Sequence, residues 1–196
     1  MNRVEYIFGA GTTFPKQEGR VNVDRLPLPN IDVVWDLDKF EYPFPDGSGI
    51  HINATHLIEH LQPKTLPLFF DECHRILSPG GTLYIETPHA EHIDLTASDP
   101  THQRTFTKHT FINYLTVQGV RNFGYTRHAW AILDIRPAWE HLTGDVAEVL
   151  VKTMLYRLFG CPAPLTEFKE RGIIKVLAMP IPDEMLADEI LNRMNI

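Results

Sequence analysis

The sequence predicts an α/β domain in which helices are layered on a mostly parallel sheet. Three observations carry that prediction. Short apolar runs bounded by glycine, proline or aspartate recur through the first half of the chain. The run at 4–8 ends abruptly in Gly9-Ala10-Gly11. Residues 50–89 then read as a strand, a patterned helix, a Pro79-Gly80-Gly81 break and a second strand ending in Pro88-His89. That is a β-α-β unit, and in open parallel sheets ligands gather beyond the carboxyl ends of the strands.

Each element has its own signal. Residues 4–8 (VEYIF) form a buried strand closed by glycine. The strand begins almost at Met1, so no domain is expected before it, and residues 1–196 are read as one domain. Residues 20–24 (RVNVD) alternate and end in an acid. Residues 31–35 (IDVVW) give a third strand, followed by Asp36-Leu37-Asp38. Pro43, Pro45, Asp46 and Gly47 form a turn-rich loop. Residues 50–54 are the fourth strand, and 56–61 lead into the next helix. On that helix Leu66, Phe69, Phe70, Cys73, Ile76 and Leu77 line one stripe. Pro79 ends it, and the glycines offer a left-handed cap. Residues 82–87 are the fifth strand. A polar loop at 89–105 precedes a short helix at 108–115. Residues 129–135 are the sixth strand and 173–179 the seventh. Between them a 137–172 insertion carries an amphipathic helix at 145–159, and 183–194 form a terminal helix. Nine residues separate Gly11 from Val21. A parallel crossover needs about a dozen, so the first helix is expected to be a stub or missing.

Composition narrows the class. Hydrophobic residues make up 43% and charged residues 22% of the 196, as in ordinary globular proteins. Cys73 and Cys161 form no C-x-x-C pair, and no apolar run reaches membrane-spanning length. These features point to a cytoplasmic protein with no membrane partner. Residues 1–100 hold seven lysines and arginines against fifteen acids, and residues 101–196 hold eleven against ten. An acidic first half argues against a broad nucleic-acid face. Arg104, Lys108, Arg121 and Arg127 could still meet one anionic substrate, although scattered charges more commonly form a solvated surface.

Seven sequence words stand in series: Phe8-Gly9-Ala10-Gly11, Asn22-Val23-Asp24, Asp32-Val33-Val34-Trp35-Asp36-Leu37, Pro43-Phe44-Pro45-Asp46, Leu57-Ile58-Glu59-His60-Leu61, Arg75-Ile76-Leu77-Ser78-Pro79-Gly80-Gly81 and Pro88-His89. In order and spacing they resemble the class I S-adenosylmethionine-dependent methyltransferase superfamily, in its small methyltransferase-11-like branch with a degenerate glycine loop. The likeness covers about residues 4–89 and continues weakly through Asp99-Pro100-Thr101-His102 and Phe106-Thr107. It implies a Rossmann-like three-layer sandwich of about seven strands, mostly parallel, with an antiparallel edge. It also implies S-adenosylmethionine as cofactor and S-adenosylhomocysteine as product.

The resemblance further implies a set of site residues. Phe8, Gly9, Ala10 and Gly11 would pass the backbone close under the cofactor, where a side chain would collide. Asp24, with Arg25 beside it, would accept hydrogen bonds from the ribose hydroxyls, as the strand-end acid does in dinucleotide folds. Asp36 and Leu37 would flank the adenine, the first by hydrogen bond and the second as an apolar wall. Thr55 and His56 would face the methionine part and the methyl group. The chain departs from the pattern in two places. Ile7 stands where the family usually has an acid, and Thr13 where a third glycine is expected.

Methyl transfer from a sulfonium depends mainly on in-line positioning. A base is needed only if the acceptor must lose a proton. His56, His89 and His102 are the candidates, on loops expected at strand carboxyl ends, and histidine titrates in the useful range. His89, His92, Asp94, Asp99 and His102 can also be read as zinc or iron ligands. Their spacing matches no closed motif, and no metal is assigned. The expected function is methyl transfer to an unidentified small-molecule acceptor, with the oligomeric state open. The alternative is a degenerate methyltransferase fold kept as a non-catalytic binding or assembly module. A nucleic-acid methyltransferase fits less well, because Asn53-Ala54-Thr55-His56 replaces the Asp/Asn-Pro-Pro-Tyr/Phe word used on exocyclic amines.

Overall fold

The computed structural model describes residues 3–91, 96–137 and 173–182. Seven strands form one sheet: β1 Val4–Phe8, β2 Arg20–Asp24, β3 Val33–Val34, β4 Gly49–Thr55, β5 Leu77–Pro88, β6 Trp130–Pro137 and β7 Ile173–Pro180. Their spatial order is β3-β2-β1-β4-β5-β7-β6. The first five pair in parallel. β7 runs antiparallel to both neighbours and enters between β5 and β6. The mostly parallel sheet with an antiparallel edge is therefore present. The chain leaves β1 toward β2 and β3, then returns to β1's other side as β4. That reversal opens a crevice at the carboxyl ends of β1 and β4, where such sheets bind ligands.

One face of the sheet is apolar throughout. Parallel register places Tyr6 beside Val21 and Ile52, Ile52 beside Leu83, and Ala54 beside Ile85. Three helices lie wholly within the described residues: α1 Leu66–Ile76, α2 Lys108–Leu115 and α3 Val117–Phe123. The α1 stripe of Leu66, Phe69, Phe70, Cys73 and Ile76 is buried in the same core, with Phe111 and Leu115 of α2. The other face is mainly polar over β1, β2, β4 and β5, with Ile7 of β1 packed in a small separate cluster with Ala10 and Ile31. Arg20 Nε donates to Glu5 Oε2 at 3.0 Å, and His51 Nδ1 meets Thr82 Oγ1 at 2.8 Å. The 137–172 insertion and the helices expected at 145–159 and 183–194 lie outside the described residues. No helix among the described residues is long and apolar enough to cross a membrane.

The short first crossover holds turns and no helix, as its length dictates. Side-chain amides take up the carbonyls that a helix would have satisfied. Asn22, wholly buried, donates from Nδ2 to Phe14 O at 2.9 Å and Asn30 O at 3.0 Å. Asn30 Nδ2 donates to Gly11 O at 2.7 Å and Phe14 O at 2.8 Å. Buried backbone groups need such partners.

Two expected boundaries move. The third strand shrinks from 31–35 to Val33–Val34, because the Asp32 carboxylate replaces a ladder acceptor by taking Asn22 N–H at 2.9 Å. The fifth strand begins at Leu77, not at residue 82. Helix α1 ends on an extended Leu77 (φ −71°, ψ 133°), so no glycine caps it. Pro79 disfavours helical backbone at Ser78, and residues 78–81 loop out as a bulge between the Gly49–Leu77 and His51–Thr82 pairs.

Arg75 explains why the Pro43–Asp46 loop and α1 belong together. Its guanidinium pairs with both Glu72 oxygens, at 2.9 and 2.7 Å. It also donates to the carbonyls of Phe44 and Tyr42 and to Asp46 Oδ1, at 2.7, 3.1 and 2.6 Å. The loop is thereby fixed to the helix and presses Phe44 against Tyr6, ring centroids 4.7 Å apart.

Candidate functional site

The turn after β1 meets the end of β2 directly. Gly11 N donates to Asp24 Oδ2 at 2.9 Å, and Leu26 N donates to Asp24 Oδ1 at 2.9 Å. Gly9 and Gly11 both have left-handed backbone, φ 67° and 50°. At Gly9 a methyl group would meet Leu57 Cδ1 at 3.0 Å, so the β1 turn packs against the segment after β4. At Gly11 a methyl would meet nothing within 4 Å. The glycine bend and the carboxylate therefore converge beside open space. An ionised carboxylate has about four acceptor sites, so two backbone bonds leave capacity on Asp24. Phe8 and Ala10 are buried, in the main core and in a small cluster with Ile7 and Ile31. Only their backbones face the turn. Arg25 is exposed.

The next strand end supplies Asp36, half-exposed, with Oδ1 accepting Asp38 N at 3.1 Å. Leu37 does not form a wall at the surface. Its side chain is 5% exposed in the main core, and its carbonyl accepts Tyr42 Oη–H at 2.7 Å. Asp38 Oδ1 accepts from Gln62 N at 3.0 Å and from the Thr65 hydroxyl, which ties this loop to the start of α1.

At the end of β4, Thr55 donates to Asn53 Oδ1 at 2.8 Å. His56 has φ 50°, the only left-handed non-glycine among the described residues. Such a conformation costs about 1–2 kcal/mol and concentrates at functional sites. Its backbone N donates to Glu86 O at 2.8 Å. Its ring lies between two carboxylates, Nδ1 at 3.3 Å from Glu59 Oε1 and Nε2 at 3.9 Å from Glu86 Oε1. Half of the side chain is exposed. Glu59 is buried and accepts Thr87 Oγ1–H at 2.8 Å. Glu86 is paired with Lys175 Nζ at 3.2 Å and accepts Tyr84 Oη–H at 2.7 Å.

The three sequence-nominated histidines have different surroundings. His89 is 4% exposed, and its Nδ1 accepts Glu91 N–H at 3.2 Å, so the lone pair a base would use is engaged. His102 Nδ1 donates to Thr96 O at 2.8 Å, and its ring meets that of His60 edge-on at 4.8 Å between centroids. The structure thus joins His102 to Glu59 and His60. His92 and Asp94, the other candidate ligands beside His89, lie outside the described residues. Asp99 instead accepts Thr101 Oγ1–H at 2.7 Å and Thr101 N–H at 2.8 Å. These bonds, then the nearby imidazoles of His60 and His102, hold its carboxyl below the usual range.

Comparison with known proteins agrees with this architecture. Residues 17–85 match the family described as "Methyltransferase domain". A SAM-dependent methyltransferase from Archaeoglobus fulgidus superposes with TM-score 0.54 at 17% identity, over 90% of this chain and 85% of that one. The chain therefore has the fold of the class I S-adenosylmethionine-dependent methyltransferases. Two other methyltransferase structures are similar in fold at lower identity. The complex between the Haloferax volcanii Trm112 methyltransferase activator and its methyltransferase gives TM-score 0.54 at 14% identity, over 91% of this chain and 82% of that one. Burkholderia thailandensis 1,6-didemethyltoxoflavin-N1-methyltransferase, with 1,6-didemethyltoxoflavin and S-adenosylhomocysteine bound, gives 0.52 at 11%, over 91% and 71%. No curated protein matches the sequence.

Several residues that build the candidate site were assigned no role from the sequence. Asn22 and Asn30 hold the β1 turn, and a pair of asparagines flanking a crossover too short for a helix was the available signal. Glu59 and His60 stand in the sequence within the Leu57–Leu61 word and the segment leading to the next helix, with no role of their own. Their meeting with His102, forty-two residues further on, had no local signal.

Proposed function

We propose that the chain binds S-adenosylmethionine between the β1 turn, Asp24 and the ends of β3 and β4, and transfers its methyl group to a small-molecule acceptor. The observation that carries this reading is the 2.9 Å bond from Gly11 N to Asp24 Oδ2 beside open space at Gly11. The donor set fits a nucleoside: a carboxylate with unused acceptor capacity for the ribose, a half-exposed Asp36 for the adenine amine, and backbone that approaches closely at Gly11. When bound, the cofactor would supply an electrophilic methyl on sulfur. The protein's share is orientation. Thr55 and His56 border the methyl side, and the two carboxylates beside His56 fix the direction of its imidazole toward an acceptor. Ile7, in the place of the family acid, removes one charged bond. Such a loss costs about 1.5–3 kcal/mol, which predicts weak rather than absent binding.

Nothing in the comparisons favours the non-catalytic module. Calorimetry of S-adenosylhomocysteine against wild type and Asp24→Ala separates the two readings. The expected result is one-to-one binding, weakened at least tenfold by the substitution. Wild type that gives no heat at about 1 mM ligand, a level that detects affinities down to roughly 4 kcal/mol, would leave the fold without the proposed cofactor.

A further inference from the structure

Near the carboxyl ends of β4 and β5, Glu59, His60 and His102 bring one ligand atom each within 4.8 Å of the others. The hydrogen bonds around the two imidazoles fix their tautomers. His102 Nδ1 faces the carbonyl of Thr96, which can only accept, so Nδ1 carries the proton. His60 Nδ1 lies 2.9 Å from Thr101 Oγ1, whose own proton goes to Asp99 Oδ1. Thr101 Oγ1 must therefore accept, and His60 Nδ1 carries the proton as well. Both Nε2 lone pairs are left, and among the described residues neither meets a donor. The Thr101–Asp99 relay and the Thr96 carbonyl are the outer-shell partners that orient metal-binding histidines. Glu59 is 1% exposed; Oε2 accepts the Thr87 hydroxyl at 2.8 Å and Oε1 lies 3.3 Å from half-exposed His56 Nδ1, so the carboxylate keeps acceptor capacity for an ion. Backbone also locks the two segments together, Gln103 N donating to Glu59 O at 2.7 Å.

We propose that Glu59, His60 and His102 bind a divalent first-row transition ion through one carboxylate oxygen and two Nε2 atoms. Two histidines and one carboxylate suit zinc, manganese or iron. Tetrahedral zinc holds its ligands about 3.4 Å apart, so the side chains turn inward on binding. His60 and His102 are half-buried on turns, where small rotations suffice. Three protein ligands leave an open position for water or for an oxygen of the acceptor. Only this last point rests on the methyl-transfer reading. Metal binding is measured without cofactor, so either can fail alone.

The test is titration of untagged, chelator-stripped full-length protein with zinc and, separately, manganese. One ion per chain is expected for at least one metal. His60→Gln and His102→Gln should each weaken it at least tenfold, Asp99→Asn about tenfold by releasing the relay, and the exposed His109→Gln not at all. Long-range proton–nitrogen spectra of wild-type imidazoles supply a readout that no folding defect can mimic. Zinc should shift Nε2 of His60 and His102 while both keep Nδ1 protonated. Absence of stoichiometric binding by both metals, binding indifferent to both variants, or imidazole shifts confined to other histidines would overturn the proposal.

Discussion

Gly9 and Gly11 share a left-handed backbone but differ in what a side chain would meet, and that difference separates folding from binding. A methyl at Gly9 presses on Leu57, whereas one at Gly11 projects into open space. Gly11→Ala is expected to lower stability by about 1–2 kcal/mol, the cost of a left-handed alanine, while weakening S-adenosylhomocysteine at least tenfold. Chemical denaturation and calorimetry on the same samples check both numbers. Cys73 makes a second residue-scale case. It is wholly buried, and burial, then the Glu72 charge, pushes its thiol well up from the ordinary range. A thiol that is neither ionised nor reachable does not react. Peptide mapping after brief alkylation of native protein should find Cys73 unlabelled, and labelled only in denaturant.

At the scale of elements, the Glu72–Arg75 clamp decides where the β3–β4 connection lies. Glu72 also accepts Tyr42 N–H at 2.6 Å, so helix and loop share one buried carboxylate. Lysine has one point charge where Arg75 uses three nitrogens. Arg75→Lys should therefore cost about 1.5–3 kcal/mol in chemical denaturation, with the helix itself retained by circular dichroism. The Arg75 and Pro43–Asp46 words were visible in the sequence, but not that one grips the other. Strands were legible because glycine, proline and strand-end acids mark their limits, and α1 because its stripe is buried as patterned. The start of β5 was not, since Leu77 continues the apolar stripe of the helix while its backbone is already extended. The candidate site residues follow the same rule. Gly11 and Asp24 could be placed from strand ends, whereas the Leu37 side chain turned inward and His102 met His60 through loop geometry that no spacing records.

For the whole molecule, one sheet face is an apolar core and the other holds polar groups, and this sets its response to acid. His51 on the polar face has its pKa lowered, chiefly by burial against the pull of Glu5. The unfolded chain takes up that proton first, so stability from His51 is full above about pH 6.5 and declines below it. Glu72 behaves in the same direction at lower pH. Burial opposes its charge, but the Arg75 and Tyr42 hydrogen bonds outweigh burial and lower its pKa below 4.5. Asp32, held down mainly by Asn22 N–H, shifts below 3.8. Thermal unfolding followed across pH should show a first decline below about 6.5 that His51→Gln reduces, and a steeper one below about 4.5.

The sheet order puts the β1 turn, the end of β2 and the end of β4 on one rim, where the proposed nucleoside would sit. Amide proton–nitrogen spectra recorded during titration with S-adenosylhomocysteine test this most directly. Gly11, Asp24, Leu26 and His56 should shift together along one saturation curve. Unchanged amides at Gly11 and Asp24 at saturating ligand, or shifts confined to a distant surface, would contradict it.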